Sequence, residues 1–220
     1  YALLMLSPPL AEAIAPRPRE VVFVIDTSGS MEGASIRQAR AALRRFVDTG
    51  LARYGDATTR VTGEASSHLS MYLHYGHISP VTIALAVRNA DVPQHATDDF
   101  LEELVVRREL AHNYVWFEPD YDKYRALPEW ARATLGEHRH DEREVVYTAA
   151  ELEAAQTHDR YWNAAMVELR ETGYLHNRMR MYWGKKILEW TNTPEYAFRV
   201  ALEFNNRHFL DGRDPNSYAN

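Results

Sequence analysis

Hydrophobic and polar positions follow two different rhythms along this chain. Glu20 to Met31 reads EVVFVIDTSGSM, an unbroken apolar, β-branched run closing on a tight polar turn, and it predicts a buried strand. Ala34 to Tyr54 then has helical spacing in a stretch rich in Ala, Arg and Leu. Residues 55–68, with Gly55, Gly63 and several Thr and Ser, predict a loop. Beyond the loop the helical period dominates and predicts helices over 79–90, 97–114, 127–136, 149–155, 158–172, 174–191 and 194–207. Pro80, Pro128 and Pro194 fall early in these runs, where a missing N–H costs little. With no alternating strands and no repeat in the remainder, the expected fold is mainly α, with a short N-terminal βα fragment.

Composition narrows the class. A chain of 220 residues, 45% hydrophobic and 25% charged, is long enough for one full domain, or one domain and a fragment, around a real core. The absence of cysteine removes disulfides and thiolate chemistry and suits a reducing compartment without requiring one; a cytoplasmic location is the expectation, and a monomer is expected as well. A net charge of −6 means that any nucleic-acid surface must be local, and Gly173 to Asn220 carries seven Lys/Arg against five Asp/Glu. The opening YALLMLSPPLAEAIA lacks an initiator Met and a positively charged leader, so it reads as internal sequence. Pro8 and Pro9 break its apolar run well short of the ~20 residues of a membrane helix.

Two constellations carry chemistry. The first is Asp26, Ser28 and Ser30, a carboxylate and two hydroxyls directly after the predicted strand. Such a set makes half of a hard-cation site suited to Mg²⁺; its competing reading is a cap for the next helix. Residues 16–46 resemble the von Willebrand factor A family, whose metal-dependent adhesion site begins in this way. The resemblance implies a partial βα segment over 1–46. That family also needs a Thr and an Asp from later strands, which the helical remainder does not offer, so a complete metal site is not expected.

The second constellation begins with RMRMYWGKKILEW at 178–190, which sets Trp183 and Trp190 seven positions apart among four basic residues. A helix turns ~100° and rises ~1.5 Å per residue, so these two indoles share nearly one face. Core packing is the plain explanation for that spacing. Four further blocks accompany it in order: SSHLSMYLHYGHISP (66–80), FLEELVVRREL (100–110), THDRYWNAAMVEL (157–169) and NNRHFLDGRDPNSYA (205–219). No persuasive hydrolytic triad emerges among the ten histidines.

Together these blocks closely resemble the FAD-binding helical domain of class II cyclobutane pyrimidine dimer photolyases, over about 44–220. The resemblance implies a domain over 47–220, incomplete at its C-terminus. It implies light-driven repair of pyrimidine dimers in double-stranded DNA by electron transfer from reduced FAD. A cryptochrome-like flavin photoreceptor without repair, and a Mg²⁺-dependent adhesion-type module, are the alternative functions.

Roles follow from the same resemblance. Ser67, Leu69 and Ser70 match the turn that holds the flavin pyrophosphate, though a simple helix cap would look alike. Met71 stands there in place of the usual proline, and Asn177 in place of a glycine. Arg180 and Asp211 match an ion pair beside the flavin ring, with Arg213 a further cofactor contact. Asn205 matches the amide near flavin N5, with Asn216 the alternative. Glu103 matches a carboxyl that contacts the dimer, beside Glu102 and Glu109 on a charged helix. Arg107 and Arg108 match DNA-backbone contacts. Trp162, Trp183 and Trp190 match tryptophans that carry electrons to photoexcited flavin, with Tyr147 at the outer end. Trp116 and Trp130 have no such match and read as core.

Overall fold

The computed structural model describes residues 33–57 and 66–219. Asp26, Ser28, Ser30 and the predicted strand lie outside the described residues. Among the described residues all regular structure is helical.

The N-terminal half is one cluster of helices. α1 (Ala34–Arg45) buries Ala39, Ala42 and Leu43, and the same stripe continues to Phe46. The chain stays coiled through a π turn (Phe46–Gly50) and a 3-10 turn (Leu51–Arg53) into α2 (Tyr54–Ala57), so the single predicted helix changes hydrogen-bond register midway. A short helix, α3 (Ser70–His74), follows the second described start. α4 (Pro80–Arg88) begins as its sequence predicts, with Pro80 in the first turn and the Ser79 hydroxyl accepting from the Val81 amide. α5 (Gln94–Leu101) passes through a second π turn (Glu102–Arg107) into α6 (Arg108–Phe117). Phe46, Tyr54 and Phe100 pack ring against ring at the centre, with centroids 4.8 to 5.9 Å apart.

α7 (Glu129–Glu137) buries none of its residues. The C-terminal half is a second cluster, made by α8 (Ala149–Glu153), α9 (Arg160–Thr172), α10 (Asn177–Glu189) and α11 (Pro194–His208). Local chemistry sets each boundary. Thr148 and Glu151 form a capping box, and Thr193 caps α11 just before Pro194. α9 ends at Gly173, which is left-handed (φ 69°), and a Cβ there would lie 2.6 Å from the Leu210 side chain. α12 (Asn216–Ala219) packs back on α6, with Tyr218 edge-on to Tyr121.

Asp159 fixes the start of α9 by accepting from the amides of Tyr161 and Trp162 and from the Tyr182 hydroxyl on α10. Burial works against its charged form. The hydrogen bonds prevail and hold the carboxyl below its ordinary range. A depressed carboxylate stabilises the fold above the unfolded value, ~4, and that stability is lost as pH falls through the lower folded value. Asp159→Ala is expected to cost about 1–2 kcal/mol at pH 7, measured by urea unfolding, and to narrow the gap to the parent chain as the solution is acidified below ~4.

Trp116 and Trp130 correct the sequence reading, being 72% and 74% exposed. Trp116 stands five residues beyond Ala111, the buried position of α6, and so points well away from it; Trp130 lies on α7, which has no buried stripe.

Candidate functional site

The site forms where the two clusters meet. Arg180, on the first turns of α10, donates from Nη1 to Asp211 (3.3 Å) and from Nη2 to Asn205 Oδ1 (2.5 Å) and Ser217 (3.5 Å). Its guanidinium carbon lies over the Phe209 ring, 3.9 Å from the centroid. The sequence separates these residues by up to 37 positions, and α10, the end of α11 and the loop after it bring them together. Gly212 makes that loop close. A Cβ there would sit 2.4 Å from the Asn205 carbonyl oxygen and 2.9 Å from that of Phe209.

The 66–70 segment approaches the same place. Ser66 Oγ accepts from the Tyr174 hydroxyl at 2.9 Å, and the His68 ring packs on Tyr174 at 4.4 Å. His74 pairs with Asp214 at 3.5 Å. Burial, then Arg45 and His176, push the His68 imidazole below its usual range. Ser67 Oγ accepts from the Leu69 amide, closing a tight turn, while Ser70 is exposed at the head of α3. No side chain caps α3, so the plain capping alternative is not what this turn does. His68 (φ 52°) and Arg213 (φ 68°) are two of three described non-glycine residues in the left-handed region, and they stand on the two loops that border the site.

Glu103 is exposed on the second π turn. Tyr54 links it to the rest: burial first, then Glu103, Asp99 and Tyr174, push that phenol up to about 12. Arg107 pairs with Glu102 (3.6 Å) and Arg108 with Glu109 (3.4 Å) on the same outer surface. Asn205 is nearly buried and gives its Nδ2 to Asn206, whereas Asn216 bonds Asp214.

The three assigned tryptophans are the most deeply buried of the five, at 0% (Trp162), 4% (Trp183) and 2% (Trp190) exposure. Trp162 Nε1 donates to the Trp183 carbonyl at 3.1 Å, and Trp183 Nε1 points at Met166 Sδ (3.4 Å). Rings continue in both directions. Trp183 meets Phe209 at 5.8 Å, below Arg180. Trp162 meets Trp190 at 5.6 Å, and Trp190, at the C-cap of α10, meets Tyr147 at 5.5 Å and His158 at 5.3 Å. A run of aromatic side chains, joined between Trp162 and Trp183 by the indole hydrogen bond to the Trp183 carbonyl, therefore extends from the Arg180 group to the protein surface. Tyr174, Phe209 and His158 belong to this site although the sequence reading passed them over. Their only sequence signal is position, next to the Gly173 cap or inside blocks already singled out.

No family model matches the chain. Its sequence is 52% identical over 153 residues to a deoxyribodipyrimidine photo-lyase of Methanothermobacter thermautotrophicus, covering 70% of this chain and 34% of that protein. It is 50% identical over 156 residues to the enzyme of that name from Oryza sativa, covering 70% and 31%, and 40% identical over 179 residues to that of Potorous tridactylus, covering 80% and 34%. A bacterial class III photolyase from Agrobacterium tumefaciens has the same fold over 84% of this chain and 36% of its own, with a TM-score of 0.62 at 21% identity. These matches support the photolyase family. The chain spans about a third of the length of the curated photolyase relatives it matches. Among the described residues no helix is long and apolar enough to cross a membrane, and no group of three or more His, Asp or Glu could hold a metal ion.

Proposed function

We propose that residues 47–220 are the FAD-binding helical part of a class II cyclobutane pyrimidine dimer photolyase, working on double-stranded DNA. The observation that carries the reading is the continuity of the Arg180, Asn205 and Asp211 group with an aromatic run through Phe209, Trp183, Trp162 and Trp190. The donor set fits a flavin dinucleotide. Hydroxyls and a left-handed turn at 66–70 suit a pyrophosphate, and a guanidinium with a neighbouring amide suits a ring that carries negative charge when reduced. When bound and reduced, FAD supplies a light-driven electron to the dimer and recovers it after the ring splits.

The chain's own residues have distinct tasks in this reading. Arg180 would hold charge at the ring, positioned by Asp211 and by its stack on Phe209. Asn205 presents a buried amide, which can face either protonation state of a ring nitrogen. Glu103 would hydrogen-bond the flipped-out dimer, while Arg107 and Arg108 would fix the DNA backbone. Trp183, Trp162 and Trp190, with Tyr147 outermost, would return electrons to oxidised cofactor. Ser67, Leu69, Ser70 and Arg213 complete the cofactor contacts. α1 and Phe46 support this frame from the first cluster, and no task in it is assigned to Asp26, Ser28 and Ser30.

Titrating the purified chain with FAD and following quenching of flavin fluorescence tests this. Saturable binding is expected, and Arg180→Ala should weaken it about tenfold or more, since a hydrogen bond to a charged group contributes about 1.5–3 kcal/mol. Circular dichroism checks that the variant is folded. No saturable binding by the parent chain would sink the reading; dimer-independent flavin re-oxidation in the loaded protein would favour a photoreceptor.

A further inference from the structure

Where the aromatic run reaches the surface, two side chains close it in an arrangement that the flavin reading alone does not require. Tyr147 Oη lies 2.7 Å from His158 Nδ1 and also accepts from the His158 backbone N–H at 2.9 Å. With the neutral imidazole carrying its hydrogen on Nε2, the phenolic hydrogen points at Nδ1 while the oxygen still accepts from the backbone amide. The two rings are stacked, 25° apart in plane with centroids at 6.0 Å, and Trp190 stands edge-on to both. The Tyr147 backbone N–H donates to the Trp190 carbonyl at 3.0 Å, which ties the pair to the end of α10.

We propose that Tyr147 and His158 form a proton-coupled electron donor at the outer end of the aromatic run, with His158 Nδ1 taking the phenolic proton. The proposal rests on the electron-transfer reading above. A phenol gives up an electron readily only as its proton leaves, so a base already in hydrogen-bond contact decides whether Tyr147 can be oxidised. In the step, one electron passes from Tyr147 to the oxidised indole of Trp190. The phenolic O–H bond breaks and an N–H bond forms at Nδ1. The products are a neutral phenoxyl radical, a neutral indole and an imidazolium, and the oxidant that created the hole is oxidised flavin under light.

The surroundings favour passing the hole outward. Lys186 Nζ lies 5.2 Å from the Trp190 ring centroid, and its positive charge opposes a radical cation on that indole. Glu189 pairs with Lys186 at 2.8 Å and offsets part of that charge. His158 is exposed, so its Nε2 can release a proton to water, whereas Trp190 is buried. Tyr182 is the rival phenol: its hydroxyl donates to Asp159, and Lys186 also lies over its ring, at 5.9 Å.

A ruthenium polypyridyl photo-oxidant with a sacrificial electron acceptor oxidises surface-accessible aromatics without any flavin, so it tests this pair even if FAD binding fails. In the purified full chain, transient absorption should show indole radical converting to phenoxyl radical with a slower rate in D₂O. His158→Phe keeps the stack and the backbone N–H, and should slow phenoxyl formation by roughly a hundredfold, the low end of what a positioned proton acceptor contributes. Added imidazole should restore much of the rate in His158→Gly, which a purely structural role would not allow. An unchanged rate and isotope effect in His158→Phe would overturn the proposal. So would a phenoxyl signal of undiminished size and rate in Tyr147→Phe, which would place the donor on another tyrosine.

Discussion

Trp162→Ala is expected to remove about 3–5 kcal/mol of stability, a large part of what a domain of this size has. Trp162 is fully buried between α9 and α10, touches the Trp190 ring, and spends its one polar atom on the Trp183 carbonyl. Truncation leaves a cavity in the second cluster and removes the extra hydrogen bond to the Trp183 carbonyl, and both costs have the same sign. Urea unfolding followed by circular dichroism measures the loss. Trp162→Phe should recover more than half of it, because most of the ring volume is kept. A loss below about 1 kcal/mol for the alanine variant would mean that α9 and α10 are not held by this indole.

Trp183→Phe separates packing from electron transport. Phenylalanine fills most of the same space against Phe204 and Phe209, so the fold should hold. Its ring is far harder to oxidise, and each 1.4 kcal/mol added to a barrier slows a step about tenfold. Photoreduction of oxidised FAD in the loaded protein should therefore fall by about a hundredfold or more. Dimer repair started from chemically reduced flavin should change little. Equal photoreduction in variant and parent would leave Trp183 as core and nothing else.

The helices of the C-terminal half were legible because their end signals are local. Thr148 with Glu151, Asp159, Gly173 and Thr193 before Pro194 each act within a few residues, and helix ends fall there. The two π turns were not legible, since a change of hydrogen-bond register leaves the apolar period almost intact. α3 is too short to show a period at all. Burial was read correctly for Trp183 and Trp190, which share a stripe with Ile187. It was misread for Trp116 and Trp130, because an indole is buried by what lies opposite, and no pattern in α6 or α7 states what that is. The pairing of Arg180 with Asp211 came from family likeness. Its support from Phe209 and Gly212 is tertiary, and only the folded loop displays it.

The unequal exposure of the five tryptophans has a spectroscopic consequence. Trp183 lies against the Met166 sulfur and Trp190 against the His158 imidazole, contacts that shorten an excited indole's lifetime. Trp116 and Trp130 face water. Steady-state emission of the folded protein should thus come mainly from the outer pair, already at the long wavelengths of hydrated indole, and shift little as the chain unfolds. Near-ultraviolet circular dichroism draws instead on the rigid, mutually angled rings of Trp162, Trp183 and Trp190, and it is the optical signal that should collapse when the second cluster melts.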